Sequence, residues 1–271
     1  MTSPHRNRGL STLEMAFVLV ITGLLVAISV GRASLPSYPR DGSDAQALAA
    51  LQREVFDAVL EYARRYHRLP CADGNIGTGL DPDGREGAGE LGCGDVSANR
   101  LGHVPFRTLG LDAPSADEAR LYTRLRYAVY RSGAVDLTSA QPPSWQQDAT
   151  PRMLPGDGPY AGRGAFLRAL RLAAAQPRDD TNPYLTGDDG PLGTLDCVGN
   201  KRPNVAFLVL STGVRDADLD GDLFDGPHTP LTVNSRCFAA PGTPTTEHYD
   251  DTVIAIGFDR LAGELLTVGR R

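Results

Sequence analysis

Carboxylates recur at every second position in one short stretch of the chain. The run contains Asp216, Asp218, Asp220 and Asp222, and Gly221 occupies its sixth position. Calcium binds six to eight oxygen atoms at about 2.3–2.6 Å, and a tight turn lets alternating side chains converge on one point. The spacing therefore predicts a calcium site in this loop. The competing interpretation is an acidic turn that is simply solvated.

The loop departs at its end from the EF-hand pattern. Pro227 stands where that pattern has a glutamate that binds through both oxygens. A further residue must therefore complete the coordination shell, and Asp225 lies close behind the run.

Residue types that often act in catalysis are scattered along the chain. His103, His228, His248 and Ser211 belong to no G-x-S-x-G, H-E-x-x-H or P-loop motif. Isolated histidines on a surface are far more common than a hidden triad. We therefore predict no catalytic residues and no enzyme activity.

A single carboxylate, Glu14, lies in the otherwise uncharged and largely apolar segment from Leu10 to Val30. These 21 residues span about 31 Å as a helix, enough to cross a hydrocarbon core of about 30 Å. A charged side chain there costs on the order of 2.5 kcal/mol or more unless it is paired or neutralised. The position of Glu14 therefore indicates a function.

A short basic leader containing Arg6 and Arg8 precedes this segment and ends at Gly9. The arrangement resembles the prepilin signal of type IV pilins and of type II secretion pseudopilins. In that resemblance Gly9 is the last leader residue, Leu10 is the new N-terminus, and Glu14 is the glutamate at the fifth mature position. Leu10 replaces the phenylalanine most common there.

The resemblance implies a complete assembly pathway. Prepilin peptidase cuts after Gly9, the Leu10 amine is methylated, and the chain crosses the bacterial inner membrane once, with its N-terminus cytoplasmic and its head periplasmic. Glu14 pairs with the Leu10 amine of another pilin or pseudopilin subunit, because a cation and an anion in lipid offset each other's desolvation cost. An inner-membrane assembly platform then extracts subunits into a filament, and secreted substrates are further expected partners.

The expected function is that of a minor pseudopilin or minor pilin, in a periplasmic pseudopilus of a type II secretion system or in a type IV pilus. The resemblance also bears on calcium, since some major pseudopilins hold this ion beside their last strand pair. By analogy, Asp250 or Asp251 supplies the missing ligand. The expected ligand set is Asp216, Asp218, Asp220, Asp222 and Asp251.

Other readings of the N-terminus and the head remain open. A secretory signal cleaved before Ser34, or an uncleaved membrane anchor, also fits basic residues followed by an apolar segment. The head of a minor pilin can act as an adhesin or in DNA uptake, and a membrane-anchored calcium-binding protein or metal enzyme of the periplasm is a further class. The net charge of −6 disfavours a broad nucleic-acid-binding surface.

All four cysteines follow the apolar segment, and none has C-x-x-C spacing. An even number of cysteines in an exported chain favours two disulfides. Three pairings exist, and proximity in sequence favours Cys71 with Cys93 and Cys197 with Cys237.

Hydrophobic periodicity and proline positions divide the chain. The predicted divisions are a leader (1–9), a membrane-spanning and filament-core helix (10–30), a kinked linker (31–42), an amphipathic stem helix (43–68) and a head (69–271). Strands are predicted at 125–130, 204–211 and 252–258, a helix at 164–176, and loops at 71–99 and 179–193. The expected fold is α+β and pilin-like, with a long N-terminal helix packed on an antiparallel sheet that carries long loops.

Overall fold

The structure is a computed structural model that describes residues 41–74, 82–87, 92–111, 116–139, 162–187, 197–229, 231–232 and 234–267. The predicted leader, the predicted spanning segment and nearly all of the linker lie outside these ranges, as do Gly9, Leu10 and Glu14. Among the helices within these ranges, none is both long enough and apolar enough to cross a membrane.

The chain folds as α+β, as predicted. The helices are α1 (Asp41–Tyr66), α2 (Ala116–Tyr122), α3 (Arg163–Ala175) and α4 (Phe258–Thr267). The strands are β1 (Leu101–Gly102), β2 (Leu125–Val129), β3 (Tyr184–Thr186), β4 (Lys201–Asn204), β5 (Phe207–Ser211), β6 (Cys237–Ala239) and β7 (Thr252–Ile256). A 3-10 turn covers Gly226–His228.

The main sheet has four strands in the order β1-β2-β5-β7, and every neighbouring pair is antiparallel. The central strand β5 is buried along its whole length. Because side chains alternate across a strand, Phe207 and Val209 pack in one core cluster while Leu208 and Leu210 pack in another on the opposite face. The sheet therefore has a covered face on each side, which explains why β5 is a continuous apolar run.

Helix α1 covers the first of these faces. Val55 and Val59 are fully buried in the same cluster as the sheet residue Val209, and the rings of Phe56 and Phe207 lie 5.0 Å apart. A polar contact adds to this packing, because buried Gln52 donates from Nε2 to the carbonyls of Val209 and Thr252 at 2.9 Å each. The amphipathic pattern of the predicted stem helix thus corresponds to packing against the sheet.

A second, smaller sheet lies in the order β4-β3-β6. β3 pairs antiparallel with β4 and parallel with β6. The prediction of a loop at 179–193 is wrong at β3, whose three residues are too few to show an alternating pattern. The apolar run predicted as one strand from Asn204 is divided, since Asn204 ends β4 and β5 begins at Phe207.

Both predicted disulfides are confirmed. Cys71 bonds to Cys93 and Cys197 bonds to Cys237, with Cα atoms 5.7 and 5.8 Å apart. The loop at Cys93 also folds around a buried arginine, because Arg131 donates to the carbonyls of Cys93 and Ala98 and pairs with Asp136 at 3.0 Å. A disulfide and the hydrogen bonds of Arg131 therefore hold the described residues around Cys93.

Replacing Gln52 tests the polar contact between α1 and the sheet. Gln52→Ala should lower the free energy of unfolding by about 1–3 kcal/mol, because buried polar groups lose their partner. Arg53→Ala, at an exposed neighbouring position of the same helix, should change it by less than about 0.5 kcal/mol. Urea denaturation of the two variants measures both effects. An equal loss of unfolding free energy in both variants would contradict the view that Gln52 stabilises the contact between α1 and the sheet.

Candidate metal centre

The predicted aspartate loop follows β5 and lies on the sheet face opposite α1, where Phe224 packs in the second core cluster. Two groups of three carboxylates form there, and the oxygen atoms of each group lie within 4.8 Å of one another. One group contains Asp216, Asp218 and Asp225, and the other contains Asp225, Asp250 and Asp251. Asp225 therefore links the loop to the segment that leads into β7.

Two of the five predicted ligands, Asp220 and Asp222, belong to neither of these groups. Asp220 and Asp222 are exposed, and their carboxylates accept hydrogen bonds from backbone amides of the loop itself. Asp220 accepts from the amide of Asp222 at 2.8 Å, and Asp222 accepts from those of Leu223 and Phe224 at 2.7 and 3.3 Å. These two side chains close turns within the loop.

Asp251 is buried, and both of its oxygens are engaged. Oδ1 accepts from the amide of Gly213 at 3.0 Å, while Oδ2 accepts from the amide of Asp225 at 3.0 Å and from Nδ1 of His228 at 2.7 Å. Burial raises the pKa of Asp251, although the hydrogen bond from His228 opposes this effect. Asp251 thus connects the loop, the 3-10 turn and β7.

His228 has a defined tautomer. Its Nε2 accepts a hydrogen bond from the amide of Ala239 at 3.1 Å, so the proton of the neutral ring must lie on Nδ1, which donates to Asp251. The side chain is fully buried. Since both ring nitrogens are occupied, His228 fastens β6 to the acidic cluster and offers no free lone pair to a metal.

Two carboxylate oxygens in the cluster are inaccessible to solvent and accept no hydrogen bond from the described residues. They are Oδ1 of Asp218 and Oδ1 of Asp250. The other oxygen of Asp250 accepts from the amides of Val214 and Arg215 at 3.0 and 3.2 Å. A buried acceptor without a donor costs about 1–3 kcal/mol, and more when it is charged. A cation beside these oxygens would remove that cost.

The cluster also concentrates negative charge. Burial raises the pKa of Asp225, and the neighbouring Asp250 adds to the effect. Each oxygen of Asp225 accepts one backbone amide, from Ala217 and from Asp250, both at 2.9 Å. A carboxylate oxygen has a second lone pair, so Asp225, and Asp251 through Oδ1, can still bind a cation.

The close approach of Asp250 to the loop depends on a glycine. A Cβ atom at Gly213 would lie 1.3 Å from Oδ1 of Asp250, which no side chain can tolerate. Gly213 directly follows β5 and Thr212, so the carboxylate sits against the backbone at the end of the central strand.

The remaining suspected catalytic residues contact other groups. Ser211 is buried and donates to the carbonyl of Thr212 at 3.1 Å, while His248 is exposed beside Glu247. His103 accepts a hydrogen bond at Nδ1 from Nη1 of Arg126 at 3.3 Å. The structure therefore does not bring these three side chains together.

No protein-family model matches the chain, and comparison with curated proteins and with solved structures likewise returned no match.

The contact of His103 with Arg126 predicts a specific dependence of stability on pH. Burial and the Arg126 charge lower the pKa of His103 to about 4, whereas an unfolded histidine titrates near 6.5. Between these values the unfolded chain binds a proton that the folded chain does not, so the free energy of unfolding should fall as the pH falls from about 6.5 to 4.

His103→Asn should reduce this loss by up to about 3 kcal/mol at pH 4, because asparagine keeps an acceptor and does not titrate. Urea denaturation of both proteins at several pH values measures the difference. Parallel pH profiles would show that His103 contributes nothing to the acid sensitivity.

Proposed function

We propose that the chain is a type IV pilin-like subunit, a minor pseudopilin or minor pilin that assembles into a filament and performs no catalysis. The observation that carries the proposal is Glu14, a lone carboxylate five residues after Gly9 in a segment long enough to cross a membrane. Prepilin peptidase would remove the leader after Gly9, and Leu10–Val30 would hold the subunit in the inner membrane.

The fold of the head is consistent with this proposal. An amphipathic helix, α1, follows the apolar segment and packs on an antiparallel sheet. Two disulfides suit a domain that folds in an oxidising compartment such as the periplasm. In the proposed topology the head lies in the periplasm, where it meets other subunits and secreted substrates.

Glu14 would act during assembly. Its carboxylate pairs with the freed, methylated amine of Leu10 on a neighbouring subunit, as the assembly platform moves the subunit out of the membrane. The pair sets the register of the stems, because each partner removes the other's desolvation cost in lipid.

Glu14→Ala tests this assignment. The variant should be inserted and processed normally but should enter filaments at a small fraction of the normal amount, because the Leu10 amine loses its partner. Thr12→Ala, an uncharged change in the same segment, is the matched control. Filament shearing followed by quantitative immunoblotting of the processed protein measures assembly, and normal assembly of Glu14→Ala would contradict the proposed role.

A second candidate function, calcium binding, is favoured by the orphaned oxygens of Asp218 and Asp250. Asp225 belongs to both carboxylate groups, so it would hold the ion together with Asp216 and Asp218 or together with Asp250 and Asp251. An all-oxygen ligand set matches the preference of calcium. The ion would join the loop after β5 to the segment before β7, and so would stabilise this side of the head.

Calcium should raise the thermal stability of the full chain in detergent. At about 100 times its Kd, a ligand of the folded state adds about 2.7 kcal/mol to the free energy of unfolding. The double variant Asp218→Asn/Asp250→Asn, which alters both carboxylate groups, should remove most of this gain, whereas Asp57→Asn, at an exposed position of α1, should retain it. Unchanged melting between calcium and EGTA would contradict a calcium site.

A further inference from the structure

An open cleft of about 550 Å³ lies beside the aspartate loop. It is bordered by the start of β2, by the residue after β5 and by the exposed side of the loop. Residues that line it include Thr123, Arg124, Arg126, Thr212, Asp222 and Leu223. We call it the arginine cleft. Its volume is within the range of about 300–1,000 Å³ that is common for small-ligand sites.

Arg126 provides a cation that the protein itself does not neutralise. Its Nη1 donates to the carbonyls of Thr123 and Leu125 at 2.7 and 2.9 Å and contacts Nδ1 of His103 at 3.3 Å, and its guanidinium lies over the ring of Phe224 at 5.1 Å. Nε is inaccessible to solvent and donates to no acceptor in the described chain. Burial lowers the pKa of Arg126 to about 10, so the side chain is still charged at neutral pH.

A partly buried guanidinium without a carboxylate partner is costly. None of the salt bridges among the described residues includes Arg126. The carboxylate of Asp222 attracts the Arg126 guanidinium electrostatically without forming a salt bridge with it. The arrangement therefore favours an anion that enters from the cleft.

Arg124 supplies a second positive charge in a fixed position. Its Nε donates to the hydroxyl of Thr212 at 2.9 Å, and its Nη2 donates to the carbonyl of Gly213. Because these contacts hold the side chain against the end of β5, little conformational freedom remains to be lost when a ligand binds.

Acidic side chains of the loop limit the charge of a suitable ligand. Asp220 and Asp222 also line the cleft, and although their carboxylates accept amides of the loop, their charges still repel a second anionic group. Leu223, which is 41% exposed, also lines the cleft and offers an apolar surface on the side of the loop. The cleft therefore suits one carboxylate at the arginine side and an apolar group at the loop side.

We propose that the arginine cleft binds a single carboxylate attached to a short apolar group. Guanidinium groups form charge-assisted hydrogen bonds with carboxylates. Within the described residues, Nη2 of Arg126 and Nη1 of Arg124 make no hydrogen bond and are open to solvent, so each arginine can donate to the ligand. A carboxylate beside a short apolar group is found in peptides that have an acidic residue next to an aliphatic one, and in small aliphatic acids. The proposal is independent of filament assembly and of calcium binding.

Calorimetric titration of the full chain in detergent with EGTA present tests the proposal. The peptide probe is acetyl-leucyl-glutamate amide, its neutral match is acetyl-leucyl-glutamine amide, and the small-acid probe is 4-methylpentanoate. At least one acid should bind saturably with a Kd of about 1 mM or tighter, and the neutral peptide should bind at least about tenfold more weakly. Tighter binding of the peptide or of the free acid identifies the source of the ligand.

Variants separate this site from nonspecific binding. Arg126→Gln and, independently, Arg124→Gln should each raise Kd about tenfold, which corresponds to about 1.4 kcal/mol. Arg120→Gln, at an exposed position on α2 outside the cleft, should leave Kd unchanged. Circular dichroism checks that each variant is folded. If Arg126→Gln does not fold, the Kd of Arg124→Gln alone tests the proposal. Equal binding of the neutral peptide, no binding of either acid, or unchanged Kd in a folded cleft variant would overturn the proposal.

Discussion

The packing of α1 against the main sheet is the contact on which the rest of the head depends. It buries Val55 and Val59 and forces β5 to be apolar on the face beneath them. The opposite face of β5 then forms a second core, and the aspartate loop covers part of that core through Phe224. The candidate metal centre and the arginine cleft therefore both lie on the sheet face that α1 does not cover.

The second constraint is the acidic cluster between the loop after β5 and the start of β7. Asp251 and His228 satisfy each other and several backbone amides, so they act as fixed supports. Asp218 and Asp250 each keep a buried oxygen without a donor. Asp218 and Asp250 are therefore the carboxylates that would gain most from a bound cation, whereas Asp251 supports the fold whether or not a cation binds.

Local signals predicted much of this architecture. The apolar run of β5 and the helical periodicity of α1 correspond to observed elements, and cysteine spacing led to both disulfides. Short strands such as β3 were missed because three residues carry too little pattern. The alternation of aspartates identified the loop, but it could not show that Asp222 turns back to its own backbone or that Asp250 approaches Gly213, because these contacts depend on tertiary structure.

The most direct test of the proposed filament role is the N-terminus of the mature protein. Mass spectrometry and N-terminal sequencing of protein recovered from its own membranes, with and without prepilin peptidase, would identify it. The proposal predicts a methylated N-terminus at Leu10 that is lost when the peptidase is absent. A start at Ser34, as a secretory signal would give, or at Met1, as an uncleaved anchor would give, would contradict assembly into a pilin-like filament.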